Sequence, residues 1–227
     1  MNRSAPAEPG RDCPLCPRLA AFRDVWRARE PSWQNAPVPS FGPVGARLLV
    51  VGLAPGLQGA NRTGRPFTGD WAGDLLYDTL LHFGFATGVY EKRPDDTLAL
   101  QDCRITNAVR CVPPENKPVG AEIATCRTFL VATLREMTNL LAILALGRIA
   151  HDSVVAAFAE RPARFPFGHA ARHRLGQVTL FDSYHCSRYN TNTGRLTTDM
   201  FRAVFAEIRG NLDARDDGRS PSGERVA

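Results

Sequence analysis

Apolar positions along the chain fall into four short, dense runs, and behind each lies a stretch with helical spacing. The first run, RLLVVGL over residues 47–53, is uninterrupted and predicts a strand buried on both faces. Behind it, WAGDLLYDTLLHFG over 71–84 brings Leu75, Leu76, Thr79, Leu80 and Phe83 to one side, which predicts an amphipathic helix with Asp70 as its N-cap. RITNAV over 104–109 predicts the second strand, and 119–137, opened by Pro118, the second helix. LLAILALG (140–147) with RIAHDSVVAAFAE (148–160) form the third pair, and QVTLFDSYH (177–185) with TTDMFRAVFAEIRGNL (197–212) the fourth. Four strands that each lead into a helix predict an α/β fold, a parallel sheet covered by helices on both faces.

In that architecture ligands bind beyond the carboxyl ends of the strands. Three polar, turn-rich segments are predicted there: GLAPGLQGANRTGRPFTGD (52–70), NAVRCVPPENK (107–117) and HCSRYNTNTGR (185–195). The first has five glycines and two prolines, so it is neither helix nor central strand. It is not a phosphate-binding P-loop, because Arg-Pro-Phe follows GANRTG where Lys and Ser or Thr are needed, and the dinucleotide pattern G-x-G-x-x-G is absent. Phe67 in this loop is a core anchor or a stacking platform, and Asp70 a helix cap or a reactive carboxylate. Asn107 opens the second segment with a donor and an acceptor side by side, suited to a base edge. His185 opens the third as a hydrogen-bond donor or general acid. Their convergence on one sheet edge makes them a candidate site.

A length of 227 residues, 44% of them hydrophobic, fits one domain, placed at 13–210 between a flexible N-terminus (1–12) and a disordered C-terminal tail (211–227). No run has the length of a membrane span and the N-terminus lacks an apolar signal core, which predicts a cytoplasmic protein with no membrane partner. Lys plus Arg exceed Asp plus Glu by 28 to 23, and Lys92 and Lys117 are the only lysines. That balance points to a polyanionic partner only where arginines cluster beside polar loops. Six cysteines in a reducing compartment suggest ligands or buried thiols rather than disulfides. Cys13 and Cys16 form C-x2-C and can join Cys111 and Cys126 in a four-thiolate site, whose spacing suits zinc and iron-sulfur alike. Cys103 and Cys186 are left over.

GLAPGLQGANRTGRPFTGDWAGDLLY, TNAVRCVPPENKP and HCSRYNTNTGRLT together resemble the three motifs of the uracil-DNA glycosylase superfamily, specifically its family 5, the type B enzymes with an iron-sulfur cluster. The resemblance spans most of residues 10–210. It implies a three-layer α/β/α sandwich around a four-stranded parallel sheet, a [4Fe-4S] cluster on Cys13, Cys16, Cys111 and Cys126, and action as a monomer on single- and double-stranded DNA. The implied reaction is hydrolysis of the N-glycosidic bond of a deaminated base (uracil, with hypoxanthine, xanthine and modified pyrimidines) flipped from the duplex, the first step of base-excision repair.

Carried onto this chain, Phe67 stacks on the base, Asn107 pairs with its edge, His185 donates to a base oxygen, and Asp70 positions water or stabilises the sugar cation. Backbone amides around Gly52, Leu53 and Ala54 add donors. Ala54 stands where other branches of the superfamily carry a water-activating Asp or Asn, and with Leu53 it leaves the pocket without a tight polar reader, in keeping with a broad substrate range. No lysine lies where it would form a Schiff base, so the enzyme is expected to be monofunctional. DNA contacts are implied for Asn61, Arg62, Arg65, Lys117, Ser187, Arg188, Asn190, Asn192 and Arg195. Where the family reads His-Pro-Ser, this chain has His185-Cys186-Ser187, a departure expected to loosen the loop. With Ala54, it also leaves open a non-catalytic iron-sulfur DNA-binding protein of the same fold.

Overall fold

The computed structural model describes residues 8–216. Its helices are α1 (Pro17–Arg29), α2 (Ala60–Thr63), α3 (Trp71–His82), α4 (Gly120–Glu136), α5 (Arg148–Ala157), α6 (Arg188–Asn192) and α7 (Thr198–Asp216). Its strands are β1 (Leu48–Gly52), β2 (Ala86–Thr87), β3 (Ala99–Leu100), β4 (Cys103–Asn107), β5 (Ala142–Leu146), β6 (Arg172–Leu175) and β7 (Val178–Ser183). The main sheet has the order β4-β1-β5-β7-β6, and β2 pairs with β3 as a small ribbon. No helix of the described residues is long and apolar enough to cross a membrane.

The four strands expected from the apolar runs are β1, β4, β5 and β7. They are mutually parallel, and every residue in them is buried. Alternation along them divides the core. Leu48, Val50, Leu144 and Phe181 pack with Leu76 and Leu80 of α3 and Phe201 and Phe205 of α7. Leu49, Val51, Ile143 and Leu180 face Leu130 of α4 and Val154 and Val155 of α5. Each such side chain contributes about 1.5 to 3 kcal/mol by leaving water, so these two interfaces dominate the stability of the fold.

The expectation of four strands is extended by a fifth. β6 runs antiparallel to β7, with Leu175 opposite Val178 across a tight turn in which Gly176 has φ +60°. Its sequence, RHRL, offers no apolar run. The backbone ladder of β7 recruits it, and charged side chains suit a solvent-facing edge. α1 also lacks a strong apolar stripe, since only Leu19 and Arg23 on it are buried. It is fastened from outside, by Arg18 to Glu122 at 2.8 Å and by Arg23 Nη1 donating to the Cys13 carbonyl at 3.1 Å.

Both terminal boundaries shift. Residues 8–12, expected to be flexible, are tied down: the Glu8 carboxylate accepts from the Ser40 amide (3.1 Å) and Arg110 (2.9 Å), and Asp12 pairs with Arg27 at 2.7 Å. At the other end α7 continues past 210 to Asp216, burying Leu212. The rest of the two expected tails, 1–7 and 217–227, lies outside the described residues.

Strand register brings the polar loop residues to one edge. Gly52 stands opposite Asn107 at the carboxyl edge of β1 and β4, and β7 ends at Ser183, two residues before His185.

Candidate active site

A cavity of about 390 Å³ opens at that edge, lined by Leu53, Ala54, Pro55, Gly56, Ala60, Phe67, Asp70, Trp71, Ala72, Asn107, Asn116, His185, Ser187 and Arg188. Segments that are more than a hundred residues apart meet here because parallel strands deliver their loops to the same side. The volume is ordinary for a small-molecule site.

Phe67 forms one wall. It is buried, its ring centre lies 5.9 Å from that of His185, and its backbone sits in the left-handed region at φ +54°. A bulky residue adopts that conformation only where its surroundings impose it. Here Tyr90 donates to the Phe67 carbonyl at 3.1 Å and Tyr77 to the Pro66 carbonyl at 2.5 Å. Gly52 makes room for the ring: a Cβ there would come within 2.7 Å of Phe67 Cζ and closer still to Asn107 Oδ1.

Asn107 and His185 are the polar groups away from the exposed rim of the cavity that are left uncommitted. Neither the Asn107 amide nor the His185 ring hydrogen-bonds within the protein among the described residues, although Asn107 is only 3% exposed. Burial lowers the His185 pKa to about 4. The ring is therefore neutral at physiological pH and carries one N–H to donate. Asn190 steadies it from behind, its Nδ2 donating to the His185 carbonyl at 2.8 Å.

Asp70 is the helix cap that the sequence predicted: its Oδ1 accepts from the Gly73 amide at 3.1 Å. Its second oxygen turns towards the glycine loop, where a Cβ on Gly59 would lie 2.7 Å from it. Burial raises the Asp70 pKa, and hydrogen bonds from the Gly73 and Ala72 amides oppose that rise. One carboxylate thus caps α3 and also borders the cavity.

Of the residues expected to contact DNA, two are withdrawn from it. Asn61 is buried and donates through Nδ2 to Asn35 Oδ1 at 2.8 Å. Arg65 is buried too, its guanidinium forked onto Asp96 at 2.7 and 2.8 Å and its Nε donating to Thr68 at 2.7 Å. Both fasten the glycine-rich loop from beneath. Two more have primarily local duties: Ser187 caps α6 by accepting from the Asn190 amide at 3.5 Å, and Asn190 holds His185. Arg62, Arg188, Asn192 and Arg195 are exposed, as is Lys117, which pairs with Glu115 at 3.2 Å.

Asp96 registers the strength of the Arg65 clamp. Burial alone would raise its pKa, but the Arg65 fork and the Glu91 and Leu98 amides outweigh it and bring the carboxyl down to about 2. Because the folded pKa lies below the unfolded value, this stabilisation is complete above about pH 4. It is lost as pH falls towards 2. Arg65→Ala leaves Asp96 without its counter-ion and is expected to cost about 2 kcal/mol, below the range for fully enclosed pairs because the chain around Asp96 meets solvent. Thermal denaturation should show a midpoint lowered by roughly 4 to 8 °C; an unchanged midpoint would show that the clamp contributes nothing.

Trp71 is the largest of the cavity-lining residues that the sequence did not single out. Half exposed on the first turn of α3, it donates from Nε1 to Thr191 Oγ1 at 3.0 Å, and Arg188 lies over its ring at 5.4 Å. With Tyr189, 72% exposed, it gives the mouth of the cavity an aromatic and cationic rim. Cys186 does not loosen this rim. Its thiol is fully buried and donates to the Ala72 carbonyl at 3.4 Å, joining the histidine loop to α3.

Cys13, Cys16, Cys111 and Cys126 gather behind the cavity. All are free thiols, they line a common recess with Leu19, Val109 and Phe129, and Ala54 both packs against this group and lines the cavity. Cys126 Sγ accepts the Arg110 amide at 3.3 Å.

Phe67, Asn107 and His185 thus stand around one cavity at the strand ends of a doubly wound sheet, beneath a basic aromatic rim. Comparison with known families identifies the class. The uracil DNA glycosylase superfamily model matches residues 39–209, and the chain belongs to that superfamily.

Within it the similarity is to the type-5 branch. The type-5 uracil-DNA glycosylase of Thermus thermophilus is 45% identical over 216 residues, covering 92% of this chain and 98% of that relative. Those of Pyrobaculum aerophilum (37% over 198 residues, 86% of each chain) and Mycobacterium tuberculosis (41% over 207 residues, 87% of this chain and 77% of the relative) are similar over nearly the same span.

Proposed function

We propose that this protein is a monofunctional uracil-DNA glycosylase that opens base-excision repair, with hypoxanthine, xanthine and modified pyrimidines also accepted. The observation that carries the reading is the pairing of two uncommitted polar groups, the Asn107 amide and the neutral His185 ring, across a cavity walled by Phe67.

N-glycosidic cleavage leaves an anionic base and a cation-like sugar. Phe67 stacks on the extruded base and Asn107 pairs with its edge. His185 donates its N–H to the base oxygen where negative charge develops, and backbone amides around Gly52 to Ala54 contribute further donors. Asp70 faces the sugar side, where its carboxylate stabilises the cation or orients the water. No lysine lines the cavity among the described residues, which supports hydrolysis without a Schiff base. Leu53 and Ala54 offer no polar side chain to a base, so discrimination rests on Asn107 and on shape, and that supports breadth. Arg62, Lys117, Arg188, Asn192 and Arg195 are exposed and offer cations and an amide to phosphates, and the exposed rings of Trp71 and Tyr189 offer stacking to unpaired bases.

A [4Fe-4S] cluster is proposed on Cys13, Cys16, Cys111 and Cys126. The donor chemistry fits: four thiols without disulfides share one recess, and a backbone amide is directed at one sulfur. Four thiolates suit zinc and an iron-sulfur cluster alike, and it is the family resemblance that favours the cluster. When bound, such a group supplies structural cross-linking of α1 to the loop after β4.

The test uses labelled single- and double-stranded oligonucleotides bearing uracil, hypoxanthine or xanthine, followed by alkali. Alkali-labile product is expected from uracil first, from a brown protein with about four irons per chain. Retained DNA binding with no product from any base would instead establish the non-catalytic DNA-binding protein.

A further inference from the structure

On the side of β7 away from the cysteines, α5, β6 and β7 bring together His151, His173 and Asp182, whose ligand atoms all lie within 4.8 Å of one another. His151 and Asp182 are completely buried, and the His173 side chain is 14% exposed. Phe165 and Phe167 pack around the two imidazoles, their ring centres 5.8 Å from His173 and 5.7 Å from His151 respectively. Nothing in the excision chemistry uses this cluster.

Its hydrogen bonding is incomplete in an informative way. His151 Nδ1 lies 2.8 Å from Asp182 Oδ1, and Nε2 lies 2.7 Å from the Phe165 carbonyl. With Asp182 ionised both partners are acceptors, so with protein partners alone the ring donates from both nitrogens and buries a cation. The other carboxylate oxygen, Asp182 Oδ2, is buried with no hydrogen bond. Its neighbour His173 Nε2 stands at 3.6 Å and is directed to the Pro166 carbonyl at 3.1 Å. A buried carboxylate oxygen left without a donor or cation is destabilising.

The geometry points to a divalent transition-metal site on His151 Nδ1, Asp182 and His173 Nε2, with zinc as the natural occupant. An ion in place of the Nδ1 proton leaves His151 neutral, with Nε2–H donating to the Phe165 carbonyl, the arrangement that orients metal-bound imidazoles generally. It gives Asp182 the cation that its free oxygen lacks. His173 turns from the Pro166 carbonyl and moves its proton to Nδ1, and the Nδ1 proton of His151 passes to solvent. Tetrahedral ligands at zinc lie about 3.3 Å apart; here His151 Nδ1 is 2.8 Å from Asp182 Oδ1, His173 Nε2 is 3.6 Å from Oδ2, and the ligand atoms lie within 4.8 Å of one another, so the ion draws the two imidazoles together on the carboxylate. Two imidazoles and a carboxylate leave a fourth position for water, reached past the partly exposed His173.

The experiment is calorimetric titration of ZnCl2 into the intact, chelator-dialysed protein, with iron measured in parallel to keep the cysteine site separate. Wild type is expected to take up one zinc with a rise in thermal midpoint. His173→Gln, at the sheet edge, and Asp182→Asn, which keeps the hydrogen bond to His151, should each weaken uptake at least tenfold or so, with iron content unchanged. His173→Gln should also excise uracil at the wild-type rate in the absence of zinc. Zinc uptake by either variant equal to wild type, or no saturable uptake by wild type, would overturn the assignment.

Discussion

Uracil excision by His185→Ala is expected to run on the order of a hundred- to a thousandfold slower than wild type in single turnover, the scale of losing one donor to a developing anion. The reason lies in the charge state of the ring. Burial takes the pKa to about 4, so the imidazole is uncharged in the ground state and makes no ion pair with incoming DNA. Its N–H gains most when the departing base becomes negative, and an interaction that strengthens only then lowers the barrier rather than tightening binding. Two consequences are measurable. Affinity for uracil-containing DNA should change far less than rate, and the wild-type rate should show no inflection from His185 at any pH well above 4. A variant within threefold of wild type would remove His185 from the mechanism.

β1 and β5 were legible as dense runs of Val, Leu, Ile and Ala, β4 and β7 as shorter apolar stretches ahead of helix-spaced segments, and strand ends with loops of Gly, Asn and His announce an edge where chemistry collects. Phe67, Asp70, Asn107 and His185 reached one cavity for that reason. β6 was illegible: RHRL pairs only because β7 offers it a ladder. Arg65 and Asn61 were misread as DNA contacts for a related reason. What buries them is Asp96 and Asn35, which stand 31 and 26 residues away and leave no trace in the local sequence. Trp71 gains its place on the rim from Thr191 and Arg188 of α6, a contact made only after both elements have packed on the sheet. The positions that sequence resolves are those where a residue's own chemistry suffices. Those it misses are defined by a distant partner.

Asp70 is where cap and catalyst coincide, and the substitution that separates them is Asp70→Asn. Asparagine caps helices about as well as aspartate, so the bond from the Gly73 amide survives. Burial penalises the charged carboxylate at this position, whereas a neutral amide escapes that penalty. Asp70→Asn is therefore expected to match or exceed wild-type stability, while Asp70→Ala, which forfeits the cap, should lose about 1 kcal/mol. Activity should divide differently. If the carboxylate stabilises the sugar cation, both variants lose rate, on the order of a hundredfold, and the asparagine variant does so without unfolding. The pH profile adds a second reading: burial raises the folded pKa and so shifts the acid limb of the wild-type rate upward from that of a free aspartate, and Asp70→Asn should abolish that limb. Wild-type rates in the asparagine variant would reduce Asp70 to a cap. Stability gained together with activity lost would show that the fold tolerates a buried charge here for the sake of the reaction.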